Sequence, residues 1–337
     1  MRKKTVSRGQ VSRLDLVYPP ISNQEAVWLE DDPEVQERLR ASNLYMIGGR
    51  PEARFTDIEL DDETHTVRFN VCVGDLQSEP AALRLSDIPG IRGHDEYYLE
   101  AGEKMFRAWD GPVRADGSNV LNWFTTDKLL WDKSRGLPGI EGLDRVSDLM
   151  TYDLLYVGIA KKNDTFERLF KRGHKARVSI LAHEPQRYPG ARVTDETFLF
   201  AFRVEPLLLQ TFDPDHDFTE EDFMRQPDEK RVLADVEKAF VSLLKPQYNI
   251  IKYGNYPKGS DGLYGTGIDR YGYLIGERIA FNTAHGRIRG AYDPRGMISN
   301  EADFIFVDGD KVSFYVSGVD FPATTRPPKL PENPGAC

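Results

Sequence analysis

Cysteine is nearly absent: Cys72 and Cys337 are the only two in 337 residues. This excludes a disulfide framework and a zinc site built from cysteines. Any metal must be held by oxygen or imidazole ligands. Long apolar runs are also missing, with nothing near the roughly 18 residues a membrane helix needs. The basic start, Met1-Arg2-Lys3-Lys4, leads into no apolar segment, so a secretory signal is not expected and the cytoplasm is the default location. Positive charge is in deficit. The formal net charge of −10 argues against a general nucleic-acid coating protein, yet it leaves room for a local basic patch. The acidic runs Glu30-Asp31-Asp32, Asp61-Asp62-Glu63 and Asp213 to Asp222 read as solvated loops. No fixed-period repeat is visible. What the chain does have is 40% hydrophobic and 11% aromatic residues, enough for packed cores in about two or three domains.

Patterning predicts a mixed α/β (α+β) chain. Residues 1–20 read as a polar arm. Asp32 to Leu44 reads as a helix, and Phe55 to Leu60 with Thr66 to Val73 as two strands joined at Asp61–His65. Trp109, Trp123 and Trp131 can fill a local core or form a base-stacking platform. Gly136 to Asp148 reads as a linker. Beyond it, the order strand, helix, strand, helix runs over 148–252. A Gly/Tyr-rich stretch follows from Tyr253 to Tyr273, then a hairpin across Asp308-Gly309-Asp310. The expected division is a strand-rich region at 1–140, a middle domain at 148–252 and a strand-rich end at 253–337. The two outer parts can pack together around the middle.

Chemistry-bearing residues concentrate in the middle stretch. In Asp153–Ala160, period-two alternation predicts Leu155, Val157 and Ile159 on one apolar face, with Tyr156 and Gly158 on the other. Gly158 would let a ligand approach the backbone beside the Tyr156 hydroxyl. Asp164 with Glu167 resembles a capping box. The helix it opens carries Arg168, Lys171, Arg172 and Lys175 at i, i+3, i+4 and i+7, and Lys161 and Lys162 lie just upstream. A basic helix face can be no more than a solvated one, but it can also attract a phosphate backbone. His174, set among these cations, should hold its proton poorly and serve as a neutral acid or base. On the helix of Val232–Leu244, Glu237 neighbours Leu233, Phe240, Val241 and Leu244. A carboxylate on an apolar stripe needs a cation, either a hard metal ion or a buried arginine. Pro246 stops the helix and Gln247-Tyr248-Asn249 follows.

Together, Tyr156-Val157-Gly158, Arg168, His174, Glu237 within Val236-Glu237-Lys238-Ala239, and Lys245-Pro246-x-Tyr248-Asn249 resemble the GIY-YIG nucleases over about a third of the chain. The resemblance implies a small sheet flanked by helices. It also implies hydrolysis of a phosphodiester of nucleic acid, DNA before RNA, with one Mg2+ (or Mn2+) held by Glu237. Tyr156, Arg168, His174, Glu237 and Asn249 would be catalytic. Gly158, Lys161, Lys171, Arg172 and Lys175 would bind substrate. The first-strand tyrosine of such a site is missing from Gly142–Val146. Tyr152, Tyr45 or a residue of Tyr253–Tyr273 would have to replace it. A restriction or phage-defence endonuclease, with flanking regions that meet substrate or a protein partner, is one reading. A degenerate domain that only binds nucleic acid or protein is the other.

Overall fold

In the computed structural model, residues 7–321 are described except 95, 161–164, 172–173, 221 and 223–225, with the backbone alone at 170 and 171. In chain order the strands are β1 (Ser7–Leu16), β2 (Ile21–Ser22), β3 (Leu44–Gly49), β4 (Ala53–Asp61), β5 (Thr66–Val73), β6 (Leu76–Gln77), β7 (Ala81–Arg84), β8 (Tyr98–Ala101), β9 (Met105–Trp109) and β10 (Val120–Thr125). They continue with β11 (Ile140–Glu141), β12 (Thr151–Ile159), β13 (Thr197–Thr211), β14 (Arg270–Ile275), β15 (Ala280–Thr283), β16 (Gly286–Arg289), β17 (Phe304–Asp308) and β18 (Lys311–Tyr315). The helices are α1 (Asn23–Leu29), α2 (Pro33–Arg40), α3 (Thr126–Ser134), α4 (Val146–Leu149), α5 (Lys175–His183), α6 (Val193–Glu196) and α7 (Glu229–Leu244), with a π turn at Glu167–Lys171.

A mixed sheet of ten strands dominates, in the order β16-β15-β12-β3-β13-β1-β14-β17-β18, with β2 paired to β13. It takes β1 and β3 from 1–140, β12 and β13 from 148–252, and β14 to β18 from the end of the chain. The small sheet expected for the middle stretch is therefore a set of neighbours, β12-β3-β13, inside a much larger one. Two smaller sheets, β11-β7-β5-β4 with β6 and β10-β9-β8, are built from the segment between β3 and β12. Phe55, Phe69 and Phe106 join these two sheets through stacked and edge-on contacts.

Three expectations are corrected. Residues 7–16 are no arm, because β1 lies between β13 and β14. Its inward side begins with Gln10 and Ser12, which bond each other at 3.2 Å, before Leu14 and Leu16 take over. Polar residues there hide the period-two signal. The segment 136–148 is no loose linker, since Ile140, Leu143 and Val146 are core residues. In β12, the pairing to β3 shifts between Leu154 and Tyr156. This bulge changes parity, as an extra residue on one strand must. Tyr152, Leu154, Val157 and Ile159 join the main core. Leu155 instead joins the second cluster, against which Tyr156 packs.

Candidate active-site cleft

The cleft forms where β3 and β12 run antiparallel, with Tyr45 opposite Gly158 and Tyr156 opposite Ile47. Tyr45 and Tyr156 are thus diagonal neighbours, a spacing at which aromatic rings reach each other. Their centroids are 6.0 Å apart at an interplanar angle of 24°. The His174 ring stands edge-on to both, at 5.4 Å from Tyr45 and 5.3 Å from Tyr156. The Arg168 Nε–H donates to the Tyr45 hydroxyl at 2.7 Å, and the guanidinium lies 5.8 Å from the Tyr45 ring centroid. Tyr45, a fully buried residue about 110 positions before Tyr156, is the second tyrosine of the site.

Hydrogen bonding assigns the protons. His174 caps α5, where its Nδ1 accepts from the Arg177 backbone N–H at 3.2 Å. Burial, followed by the charges of Arg168 and Arg177, depresses the His174 pKa from 6.5 to about 4, so the ring is neutral. A neutral imidazole that accepts at Nδ1 carries its hydrogen on Nε2. Nε2–H therefore donates across the 2.8 Å contact to the Tyr45 oxygen. With two donors on that oxygen, the Tyr45 hydroxyl donates in turn to Tyr156. Burial raises the Tyr45 pKa and the bond to Tyr156 adds to that rise, while the same bond opposes the rise that burial and Glu237 impose on Tyr156. The chain of donors ends at Tyr156, the phenol that faces the cleft.

The opposite wall comes from the end of α7 and the turn behind it. Lys245 closes the helix in the left-handed conformation, at φ 48°, with its N–H on the Val241 carbonyl. Asn249 then reaches β12. Its Oδ1 accepts from Val157 N at 2.9 Å and its Nδ2 donates to Val157 O at 2.8 Å. One residue earlier, Tyr248 N donates to Leu155 O at 3.0 Å, so the bulge carbonyl is satisfied. Asn249 thus fixes the strand that carries Tyr156, and its side-chain amide is fully engaged with backbone.

The resulting cleft has a volume of about 830 Å³; Tyr156, Arg168, His174, Lys175, Glu237 and Asn249 all line it. Five residues expected to be catalytic and one expected to bind substrate are thus brought together. Three points differ from expectation. Gly158 offers no opening to a ligand, because the Tyr45 hydroxyl sits 2.6 Å from where a Cβ would be. Glu237 is half-buried on the cleft wall, whereas the carboxylate buried in the core side of α7 is Asp235. Asp235 accepts from the Tyr256 and Tyr273 hydroxyls at 2.6 and 2.8 Å and from Leu263 N at 2.7 Å. Tyr152 serves elsewhere, donating to Asp127 at 2.5 Å. Lys161, Asp164, Arg172 and the Lys171 side chain lie outside the described residues.

Tyr253 also lines the cleft, in the left-handed region at φ 47°. Burial and the charge of Glu237 push its pKa up to about 12, so it is a neutral phenol beside that carboxylate. Such a conformation is uncommon outside glycine and marks a position held by its surroundings. Among the described residues, no group of three or more His, Cys, Asp or Glu stands together as a metal site. Mg2+ commonly keeps several waters and uses only one or two protein carboxylates. Glu237, the acid in the cleft lining, fits that single-carboxylate mode. Among the described residues, no helix is long and apolar enough to cross a membrane. Comparison with known proteins finds no matching family model and no significant similarity to a curated protein or a solved structure.

Proposed function

We propose that this cleft is the active site of a metal-dependent phosphodiesterase that cuts nucleic acid, DNA before RNA, in the manner of the GIY-YIG nucleases. One observation carries the reading: Tyr45 stands against Tyr156 and Gly158, where the otherwise missing tyrosine of the resemblance is needed. Tyr156, fed by the donor chain from His174 through Tyr45, orients the attacking water and exchanges its proton. Arg168, anchored on Tyr45, presents a fixed positive charge to the phosphate as negative charge builds. Glu237 is the residue that would hold Mg2+, and a bound Mg2+ would neutralise charge on the phosphate and leaving oxygens. Lys175 steers the nucleic-acid backbone toward the cleft. Asn249 keeps Val157, and with it Tyr156, in place. A restriction or phage-defence role, with the segment between β3 and β12 meeting substrate or a protein partner, belongs to the same reading.

The test is incubation of the full chain with plasmid, single-stranded DNA and RNA, with Mg2+ or with chelator. Cleavage in Mg2+ that stops in chelator and in Arg168→Ala is the expected result. Binding of nucleic acid without cleavage under any of these conditions would move the chain to the binding-module reading.

A further inference from the structure

A second cavity lies against α1, β9 and the start of α3. It is a chamber of about 160 Å³ with Glu25, Trp28, Met105, Thr126, Asp127 and Phe198 in its walls. Glu25 belongs to the first turn of α1 and is 9% exposed. Its Oε2 completes the capping box by accepting from Ser22 N at 2.7 Å, but its Oε1 has no hydrogen-bond partner. Asp127 is committed differently. Its two oxygens accept from Arg50 at 3.0 Å and from the Tyr152 hydroxyl at 2.5 Å. One buried acceptor therefore stays open in the chamber, and leaving such a group unpaired is costly. The chamber opens past Glu25, Trp28, Met105 and Arg107 into a wider groove of about 640 Å³ that also bears Trp123 and Trp131.

We propose that the chamber binds a single-ring nucleobase through its exocyclic amino group, which makes cytosine the ligand. A cavity of roughly 150 Å³ takes a benzene-sized ring, so one pyrimidine fits within the chamber, whereas a purine would extend from it into the groove. Trp28 and Phe198 supply flat apolar walls, and Trp28 is 59% exposed at the mouth, where a ring can stack. A free carboxylate oxygen selects cytosine, whose N4–H₂ is a donor. Uracil meets the same oxygen with two carbonyls flanking its N3–H. An ammonium is already present at the far wall, where Lys104 pairs with Glu52 and Asp195. Burial pushes the Glu25 pKa up to about 7, so its open oxygen acts as the acceptor that selects cytosine above that pH, where the titration is run. The chamber is tied to the catalytic cleft, since Arg177, whose N–H bonds His174, also donates from Nε to Asn23 of α1. This site stands apart from the Tyr45–Tyr156 cleft and does not depend on its chemistry.

The experiment is calorimetric titration of the full chain, in chelator so that no strand is cut. The probes are cytidine, uridine, adenosine, and a short thymine oligonucleotide carrying one cytosine or one abasic site. Cytidine should bind at least about tenfold more tightly than uridine, the scale of a good base contact, and more tightly than adenosine, whose second ring falls outside the chamber. If the cytosine oligonucleotide exceeds cytidine and loses that gain on the abasic substitution, the ligand is a base within a strand. If cytidine alone binds, it is the free nucleoside. Glu25→Gln keeps an acceptor for Ser22 N and turns a donor into the chamber, so the preference should reverse toward uridine. Trp28→Ala, at an exposed position, should weaken cytidine while leaving its ratio to uridine unchanged. Equal binding of cytidine and uridine, no binding of either, or Trp28→Ala binding cytidine at full strength would each overturn the proposal. So would Glu25→Gln melting like the parent yet keeping the cytidine preference.

Discussion

Gly158→Ala is the most direct probe of the tyrosine pair. Gly158 is a strand residue outside the left-handed region, so an alanine backbone fits and only space is at issue. The new Cβ would stand 2.6 Å from the Tyr45 hydroxyl, 2.7 Å from Tyr45 Cζ and 2.7 Å from Tyr156 Cε1. Ordinary contact begins at 3.4 Å, so each of the two rings must yield by about 0.7–0.8 Å. Tyr45 is fully buried and anchored by Arg168 at 2.7 Å and His174 at 2.8 Å; moving it stretches both bonds. Tyr156 is half-buried and swings first, out of line with its donor. Overpacking of this kind costs about 1–3 kcal/mol in stability. A misplacement of about 1 Å in a catalytic group costs about 100-fold in rate. The variant should therefore melt a few degrees lower, stay folded, and cut at about one hundredth of the parental rate. Scanning calorimetry and plasmid nicking measure the two quantities. A variant with parental melting and parental cleavage would refute the packing of Tyr45 and Tyr156 against Gly158 and, with it, the donor chain.

His174 should stay neutral down to a pH of about 4, so its ring signals in an NMR titration move there and not near 6.5. The unfolded ring takes up its proton first as pH falls. The stability this site contributes is thus full above about 6.5 and lost as pH drops toward 4. Asn249→Ala leaves the Val157 N–H and C=O without partners and should cost about 2–6 kcal/mol in chemical denaturation, at about 1–3 for each of the two buried groups; a loss below about 0.5 kcal/mol would mean that water replaces the amide. Glu237→Ala and Asp235→Ala, two residues apart, should behave oppositely. The first abolishes cleavage with little change in melting, and the second strands the donors of Tyr256, Tyr273 and Leu263 and lowers melting. Lys175→Gln should weaken DNA binding and reduce its salt dependence without changing the rate at saturation.

Elements whose signal is local were legible. The helix of α7, the β4–β5 pair and the β17–β18 hairpin follow from periodicity and turn residues, and the structure places them where patterning did. Elements fixed by distant partners were not. Tyr45 could only be named among several tyrosines, because antiparallel pairing across about 110 residues leaves no mark near either strand. The parity of β12 reverses at a bulge whose Leu155 carbonyl is taken by the Tyr248 N–H, nearly a hundred residues later. In α7, a stripe drawn around Glu237 missed that Asp235 is the fully buried acid. Its partners, Tyr256 and Tyr273, lie in a stretch that reads as Gly/Tyr-rich loop. Gly158 was singled out as a position where a ligand could approach, but the group that fills that space is a tyrosine of the chain itself.

The segment between β3 and β12 raises a question of energetics. Closing a longer loop costs little, since each doubling adds only about 0.6 kcal/mol. Here even that is offset, because β4 to β11 form sheets with their own aromatic packing. The β3–β12 ladder is then held from outside: β13 pairs along the far edge of β3, and Asn249 clasps β12. Two strands secured in this way keep Tyr45 and Tyr156 in register whatever is inserted between them. The insertion is therefore free to carry other chemistry. Its β9, β10 and α3 bring Met105, Thr125, Thr126 and Asp127 up to α1, whose Asn23 is bonded to the Arg177 that orients His174. A ligand that filled the Glu25 chamber and shifted α1 would act on the His174 tautomer through that one arginine. The structure thus joins α1 to the His174 ring through Arg177, whose side chain bonds Asn23 and whose backbone N–H holds the His174 Nδ1.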